Sequence, residues 1–168
     1  MNTLVTGTGG FIGMHVARAL LGEGHTVIGI DNFNDYYDVQ LKRARHAQLA
    51  SHPDFNGIEA DICDHERLLQ TLKQHRPDVV CNLAAQAGVR YSLDHPFVYE
   101  KSNLEGFLSI LEACRHAGAP RLVYASSSSV YGGNTELPFS EKDRVDTPVS
   151  LYAATKKANE LMAHVYTH

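Results

Sequence analysis

The sequence predicts an α/β chain built on a doubly wound parallel sheet. Three observations carry that reading. Apolar runs of four to six residues alternate with helix-period stretches along the chain. Five of those runs read as strands, with no repeat and no low-complexity stretch between them. The first is joined to the first helical stretch by a glycine-rich turn, TGTGGFIG. Alternation of this kind implies parallel strands with helices on both faces.

The elements run in order along the chain. Asn2–Thr6 (NTLVT) is a strand, and Phe11–Leu21 is a helix ended by Gly22 and Gly24. Thr26–Ile30 is the second strand, Tyr37–Ala50 is helical in period, and Gly57–Ala60 is a short third strand. Asp64 caps a helix running to about His75, with Glu66 and Arg67 in its first turn. Asp78–Leu83 is the fourth strand. Pro96–His116 is one long helix with Phe97, Leu104, Phe107, Leu108 and Leu111 at helical spacing, ended by Gly118. Arg121–Ala125 is the fifth strand. Ser150 caps a last helix on which Leu151, Ala154, Ala158, Leu161 and Val165 line one face. The long irregular segment Ser126–Val149 is of a length more often functional than idle.

Composition narrows the function classes. With 168 residues, the chain is expected to form one domain with a real core. A net charge of −4 without a basic block argues against nucleic acid. No apolar run is long enough to cross a membrane, and MNTLVTGTGG lacks the features of a signal peptide. Cys63, Cys81 and Cys114 are scattered and odd in number, which reads as reduced thiols in a cytoplasmic protein. His164 and His168 could share a helix face, but no third ligand is evident and no metal site is expected.

Gly7, Gly10 and Gly13 fall three apart where the first strand becomes the first helix. A sharp turn, close approach of a pyrophosphate and close helix–sheet packing all ask for glycine there. The helix start at Phe11 and Ile12 offers free N–H groups and the positive end of a dipole. A tight turn alone would also explain a glycine triplet. The strand–turn–helix context favours nucleotide binding. Asp31 ends the second strand, followed by Asn32. A carboxylate there accepts from a ribose 2′-hydroxyl and repels a 2′-phosphate, so the reading is NAD rather than NADP; an ordinary turn Asp is the alternative. Asp61 and Ile62 follow the third strand, within reach of an adenine. Ala84 and Ala85 follow the fourth, small enough for a cofactor to lie along the sheet edge.

The fifth strand runs into ASSSSVYG, and Tyr152 and Lys156 lie four apart in SLYAATKKANEL. Four residues are about one helical turn, so the pair shares a face. A phenol titrates near pH ~10 and is a poor base at neutrality. A neighbouring ammonium and an oxidised nicotinamide favour its anion. Lys156 can also hold ribose hydroxyls. Either stretch alone reads equally well as a serine turn or a surface pair; together, behind a dinucleotide cradle, they read as a proton-transfer site.

This combination resembles the extended short-chain dehydrogenase/reductase superfamily, with TGTGGFIG as its glycine motif and YAATK as its catalytic Tyr and Lys. Gly9 stands where the family usually has a small residue such as Ala. Within the superfamily, DNFNDYYDVQLKRAR (31–45), AAQAGVRYSL (84–93), SNLEGFL (102–108), SSSSVYG (126–132) and SLYAATKKANELMAH (150–164) resemble UDP-glucuronate 4-epimerases. The resemblance implies a Rossmann-type sheet, bound NAD, and catalysis by Ser127, Tyr152 and Lys156. It implies interconversion of UDP-glucuronate and UDP-galacturonate through a 4-keto sugar. Ser128 and Ser129 are expected near the substrate carboxylate and Arg90 near the substrate or diphosphate, a salt-bridged loop Arg being its alternative. Other nucleotide-sugar dehydratases or decarboxylases of the superfamily, and a non-catalytic NAD-binding domain, are the competing readings. Dehydratases carry an acidic pair where Ser128 and Ser129 stand. Family members are longer, so residues 1–168 correspond to a partial NAD-binding domain, truncated after the catalytic helix and missing the substrate-binding lobe. Weak or absent activity, an edge position for the fifth strand and self-association through the long helices are the expected consequences.

Overall fold

The computed structural model describes residues 1–118 and 120–167. Its contacts divide the chain into two compact units, Met1–Ala84 with Ser109–Tyr124, and Ala85–Leu108 with the residues from Ala125 onward.

The first unit holds the sheet. Its strands are β1 (Asn2–Thr6), β2 (Thr26–Asp31), β3 (Phe55–Glu59), β4 (Val79–Asn82) and β5 (Arg121–Tyr124). They lie in the order β3-β2-β1-β4-β5, and every neighbouring pair is parallel. Consecutive strand residues point to opposite faces, and the sequence is apolar on both. Leu4, Ile28, Ile30 and Val80 pack with Leu68 and Leu72 of α3 (His65–His75) and with Ile110 and Ala113 of α6 (Gly106–His116). Val5 and Val27 pack with Met14, Ala17 and Leu21 of α1 (Phe11–Gly22) and with Leu49 of α2 (Val39–Ala50). Strand order reverses between β1 and β4, the place where open α/β sheets leave a crevice beyond the strand ends. A buried knot fastens that point: the Thr6 hydroxyl donates to Asn82 Oδ1 at 2.7 Å and accepts from the N–H groups of Leu83 and Ala84 at 3.1 and 3.0 Å.

Helix starts coincide with side-chain caps. The Asp64 carboxylate accepts from Arg67 N, as its place before the helix suggests. α2 begins at Val39, two residues later than its period implies, because the Asp38 carboxylate caps it by accepting from Gln40 N. β3 reaches back to Phe55, whose pairing with Val27 carries it beyond the short apolar run. β5 is a sheet edge, with Val123 58% exposed.

The second unit is helical. It contains α4 (Tyr91–Asp94), α5 (Pro96–Tyr99), a π-helical turn (Glu100–Glu105), the start of α6, a 3-10 turn (Ser128–Tyr131) and α7 (Leu151–Val165). The single helix expected over 96–116 is therefore interrupted. A π turn admits an extra residue and rotates the next turns of helix about the axis, so the apolar stripe divides. Phe107 and Leu111 are buried, whereas Phe97 is 83% and Leu108 43% exposed. α7 likewise buries a face other than the apolar one. Ala153, Thr155, Lys156 and Asn159 are buried, and Leu161 and Val165 stay open. Ser150 caps it as expected, accepting from Ala153 N at 3.1 Å. Among the described residues, no helix is long and apolar enough to cross a membrane.

Candidate functional site

In the first unit, Gly7 has φ +78°, and a Cβ there would meet Ala84 N at 3.0 Å. L side chains disfavour that conformation. A Cβ on Gly13 would run into the Gly7 carbonyl. Gly10 N–H donates to Gly7 O at 3.0 Å, and Met14 N–H closes the first helical bond to Gly10 O at 3.1 Å. Gly10 is thus an N-cap with no side-chain cap, and no acidic residue occupies the first turn. By helix geometry the N–H groups of Phe11, Ile12 and Gly13 have no intrahelical acceptor, and the side chains of Phe11 and Ile12 are exposed. An anion fits this end of α1 without displacing a cap.

Asp31 leaves β2 beside that turn. Its Oδ2 accepts from Gly9 N at 2.9 Å and its Oδ1 from Phe33 N at 2.8 Å. Each carboxylate oxygen retains accepting capacity for a further hydroxyl. Asn32 Nδ2 donates to Asp61 Oδ2 at 2.9 Å, while Asp61 Oδ1 accepts from Cys63 N at 2.9 Å. The structure thus joins Asn32 to Asp61. Ile62 turns its side chain into the core. Ala84 is half-buried at the end of β4.

In the second unit, the 3-10 turn carries the serines and packs against α7. Ser127 is its N-cap, and its Oγ accepts from Ser129 N at 3.1 Å. An accepting hydroxyl still has its proton to donate elsewhere. Ser128 is exposed and Ser129 half-buried. Tyr152 is half-buried, its ring edge-on to Tyr99 at 6.1 Å between centroids. Lys156 is 6% exposed, and its Nζ donates to Ala125 O at 3.0 Å. Arg90 is exposed and makes no ion pair among the described residues; Ala85 is also exposed. His164 is exposed, and its proposed companion His168 lies outside the described residues. Among the described residues, no group of three His, Cys, Asp or Glu could hold a metal ion.

Burial lowers the Lys156 pKa from 10.5 to about 8. A rising pH therefore takes the proton from the folded chain near 8, while the unfolded chain holds it to about 10.5. The unfolded state binds more protons across that window, so stability rises with pH there, by about 3 kcal/mol for this group. Lys156→Met should remove the rise. Urea midpoints of both proteins at the two ends of the window would measure it, and parallel pH dependences would refute it.

The sequence did not announce the framework behind Tyr152 and Lys156. Asn103, 2% exposed, lies in the π turn. Its Oδ1 accepts from Gln86 N at 2.8 Å, and its Nδ2 donates to Gln86 O and to Thr155 Oγ1, both at 3.0 Å. Its carbonyl accepts from Asn159 Nδ2 at 2.7 Å. Tyr99 OH donates into the carbonyls of Ala87 and Gly88. The signal was present only as polar residues inside helical stretches, where an apolar face was expected.

The family described as GDP-mannose 4,6 dehydratase matches residues 4–168. The chain is 52% identical over its full length to Protein CapI of Staphylococcus aureus, covering 50% of that protein. It is 54% identical to UDP-glucuronate 4-epimerase 4 of Arabidopsis thaliana, covering 100% of this chain and 38% of that one. A UDP-glucuronic acid 4-epimerase from Bacillus cereus, solved in complex with UDP-glucuronic acid and NAD, superposes with a TM-score of 0.88 at 37% identity, covering 99% of this chain and 52% of that one. The chain spans about half the length of the curated relatives it matches first. With a match from residue 4 to residue 168, on a parallel sheet with a glycine turn at its switch point, the chain belongs to the GDP-mannose 4,6 dehydratase family, within the extended short-chain dehydrogenase/reductases.

Proposed function

We propose that this chain forms the NAD-binding and proton-transfer part of a nucleotide-sugar 4-epimerase that interconverts UDP-glucuronate and UDP-galacturonate. The observation that carries the proposal is Lys156. A buried ammonium held by one carbonyl, with no carboxylate in ion-pair range among the described residues, is costly to a fold. An apolar residue would serve structure better, so the cation points to chemistry.

In this reading the first turn of α1 binds the pyrophosphate, Asp31 takes the adenosine ribose hydroxyls, Asn32, Asp61 and Ile62 flank the adenine, and Ala84 and Ala85 leave room at the strand ends. Lys156 holds the other ribose. NAD, when bound, supplies reversible oxidation at the sugar C4. Tyr152 takes the proton of the sugar 4-hydroxyl, and Ser127 donates to the same oxygen with the proton its Ser129 bond leaves free. The 4-keto sugar then presents its other face, Tyr152 returns the proton, and no net redox change results. Such a keto sugar is a β-keto acid prone to lose CO2. Ser128, Ser129 and Arg90 restrain its carboxylate or the diphosphate, and the exposure of Ser128 and Arg90 is consistent with that role. Serines in place of an acidic pair favour epimerisation over dehydration.

The relatives support this reading: one carries the 4-epimerase name, and another was solved with UDP-glucuronic acid and NAD. Apolar exposure at Leu108 of α6 and at Leu161 and Val165 of α7 fits self-association through the long helices, which a monomeric sedimentation profile would contradict. The test of function is release of cofactor by denaturation and its identification by mass, then incubation with UDP-glucuronate. NAD and UDP-galacturonate are the expected findings. Failure to bind NAD, or a pentose product, would overturn the proposal.

A further inference from the structure

The stretch DNFNDYYDVQLKRAR contributes more than Asp31. After Asp31 the chain turns through Phe33, a buried residue at φ +48°, and then enters α2. Two side chains of this stretch return to the glycine turn. Arg45 Nη1 donates to Gly9 O at 3.2 Å and to the Tyr37 hydroxyl oxygen at 3.0 Å, and Tyr37 OH donates to Gly9 O at 3.4 Å. Gly9 N–H is meanwhile held by Asp31. Both polar groups of one glycine are thus fixed by side chains 22 to 36 positions away.

The clasp is itself braced. Lys42, 5% exposed, donates to Asn34 O at 2.7 Å and to Asn34 Oδ1 at 2.6 Å, and its ammonium lies 4.3 Å from the Tyr37 ring centroid. The loop between Asp31 and α2 is thereby tied to the helix that delivers Arg45.

We propose that Arg45, with Tyr37, is a positioning residue for the dinucleotide pyrophosphate. It acts through the Gly9 carbonyl, and this rests on the proposed binding of NAD at the glycine turn. Gly9 has no side chain to restrict its backbone. A Cβ there would press on the Asp31 carboxyl at 3.1 Å and on the Phe33 ring at 3.2 Å. The clasp takes over the work of fixing the turn. It also sets a permanent cation against the segment whose next N–H groups receive a dianion.

The test is calorimetric titration of the full chain with NAD+, ADP-ribose and adenosine. Adenosine is the control, because it lacks the pyrophosphate. Arg45→Met should weaken NAD+ and ADP-ribose about tenfold, the loss of one charge-assisted contact, and leave adenosine unchanged. Arg45→Lys should recover part of that loss. Tyr37→Phe keeps the ring under Lys42 and removes only the hydroxyl; it should weaken the same two ligands by about threefold. Equal weakening of all three ligands would assign Arg45 to general stability and overturn the inference, as would unchanged affinities. A wild-type chain that binds none of the dinucleotides would instead overturn the cofactor reading, and the inference with it.

Discussion

Tyr152→Phe should lower 4-epimerisation by about a thousandfold and leave NAD+ affinity within about twofold. The two effects separate because the ring and the hydroxyl do different work. The ring packs edge-on against Tyr99, whose own hydroxyl is anchored on the carbonyls of Ala87 and Gly88. Phenylalanine preserves that contact, the α7 backbone and the bond from Lys156 to Ala125. What it removes is the oxygen proposed to exchange a proton with the sugar. Rates measured by separating UDP-glucuronate from UDP-galacturonate, beside NAD+ titrations, would check both halves. A variant that kept a tenth of its activity would reassign the base. A variant that lost NAD+ binding would make the tyrosine a cofactor ligand first.

Legibility in the sequence divided along a physical line. Local conformational demands were readable. The glycine triplet marked the tight turn after β1, Asp64 and Ser150 marked helix starts, and the alternation of apolar runs pointed to the parallel sheet. The place of Asp31 at the end of β2 was readable for the same reason. Bonds between distant segments were not. The Thr6–Asn82 knot spans 76 positions and the Asn103–Thr155 bond 52, and no periodicity encodes either. The last helix is the instructive case. Its apolar stripe, Leu161 and Val165 included, suggested a buried face, yet Thr155, Lys156 and Asn159 are the buried residues. Hydrogen-bond satisfaction overrode hydrophobic patterning there, since each of those three groups has a partner waiting. The π turn has the same origin. An extra residue in the helix sets Asn103 among these partners, which an unbroken α-helix read over Pro96–His116 does not anticipate.

Asn103→Leu is the substitution expected to harm the second unit most. Leucine is close in volume and would fill the space, so the cost is electrostatic rather than steric. It strands Gln86 N–H, Gln86 C=O and one bond of the Thr155 hydroxyl in a buried setting. Each unsatisfied buried group costs about 1–3 kcal/mol, and Thr155 retains a bond to the Tyr152 carbonyl, so the total should be about 3–5 kcal/mol. Asn103→Asp separates the two ends of the amide. It keeps an acceptor for Gln86 N–H, loses the donor to Gln86 C=O and buries a carboxylate, so it should also destabilise. Thr155→Val leaves both Gln86 bonds in place and removes the acceptor of Asn103 Nδ2 and the donor to the Tyr152 carbonyl, so it should cost less, about 1–2 kcal/mol. Urea denaturation followed by tyrosine fluorescence would rank the three. If Asn103→Leu were neutral, the amide would be replaceable packing. The large loss expected instead would mean that the framework under Tyr152 and Lys156 is held by polar bonds, which fix direction where apolar contact fixes only proximity, and proton transfer depends on direction.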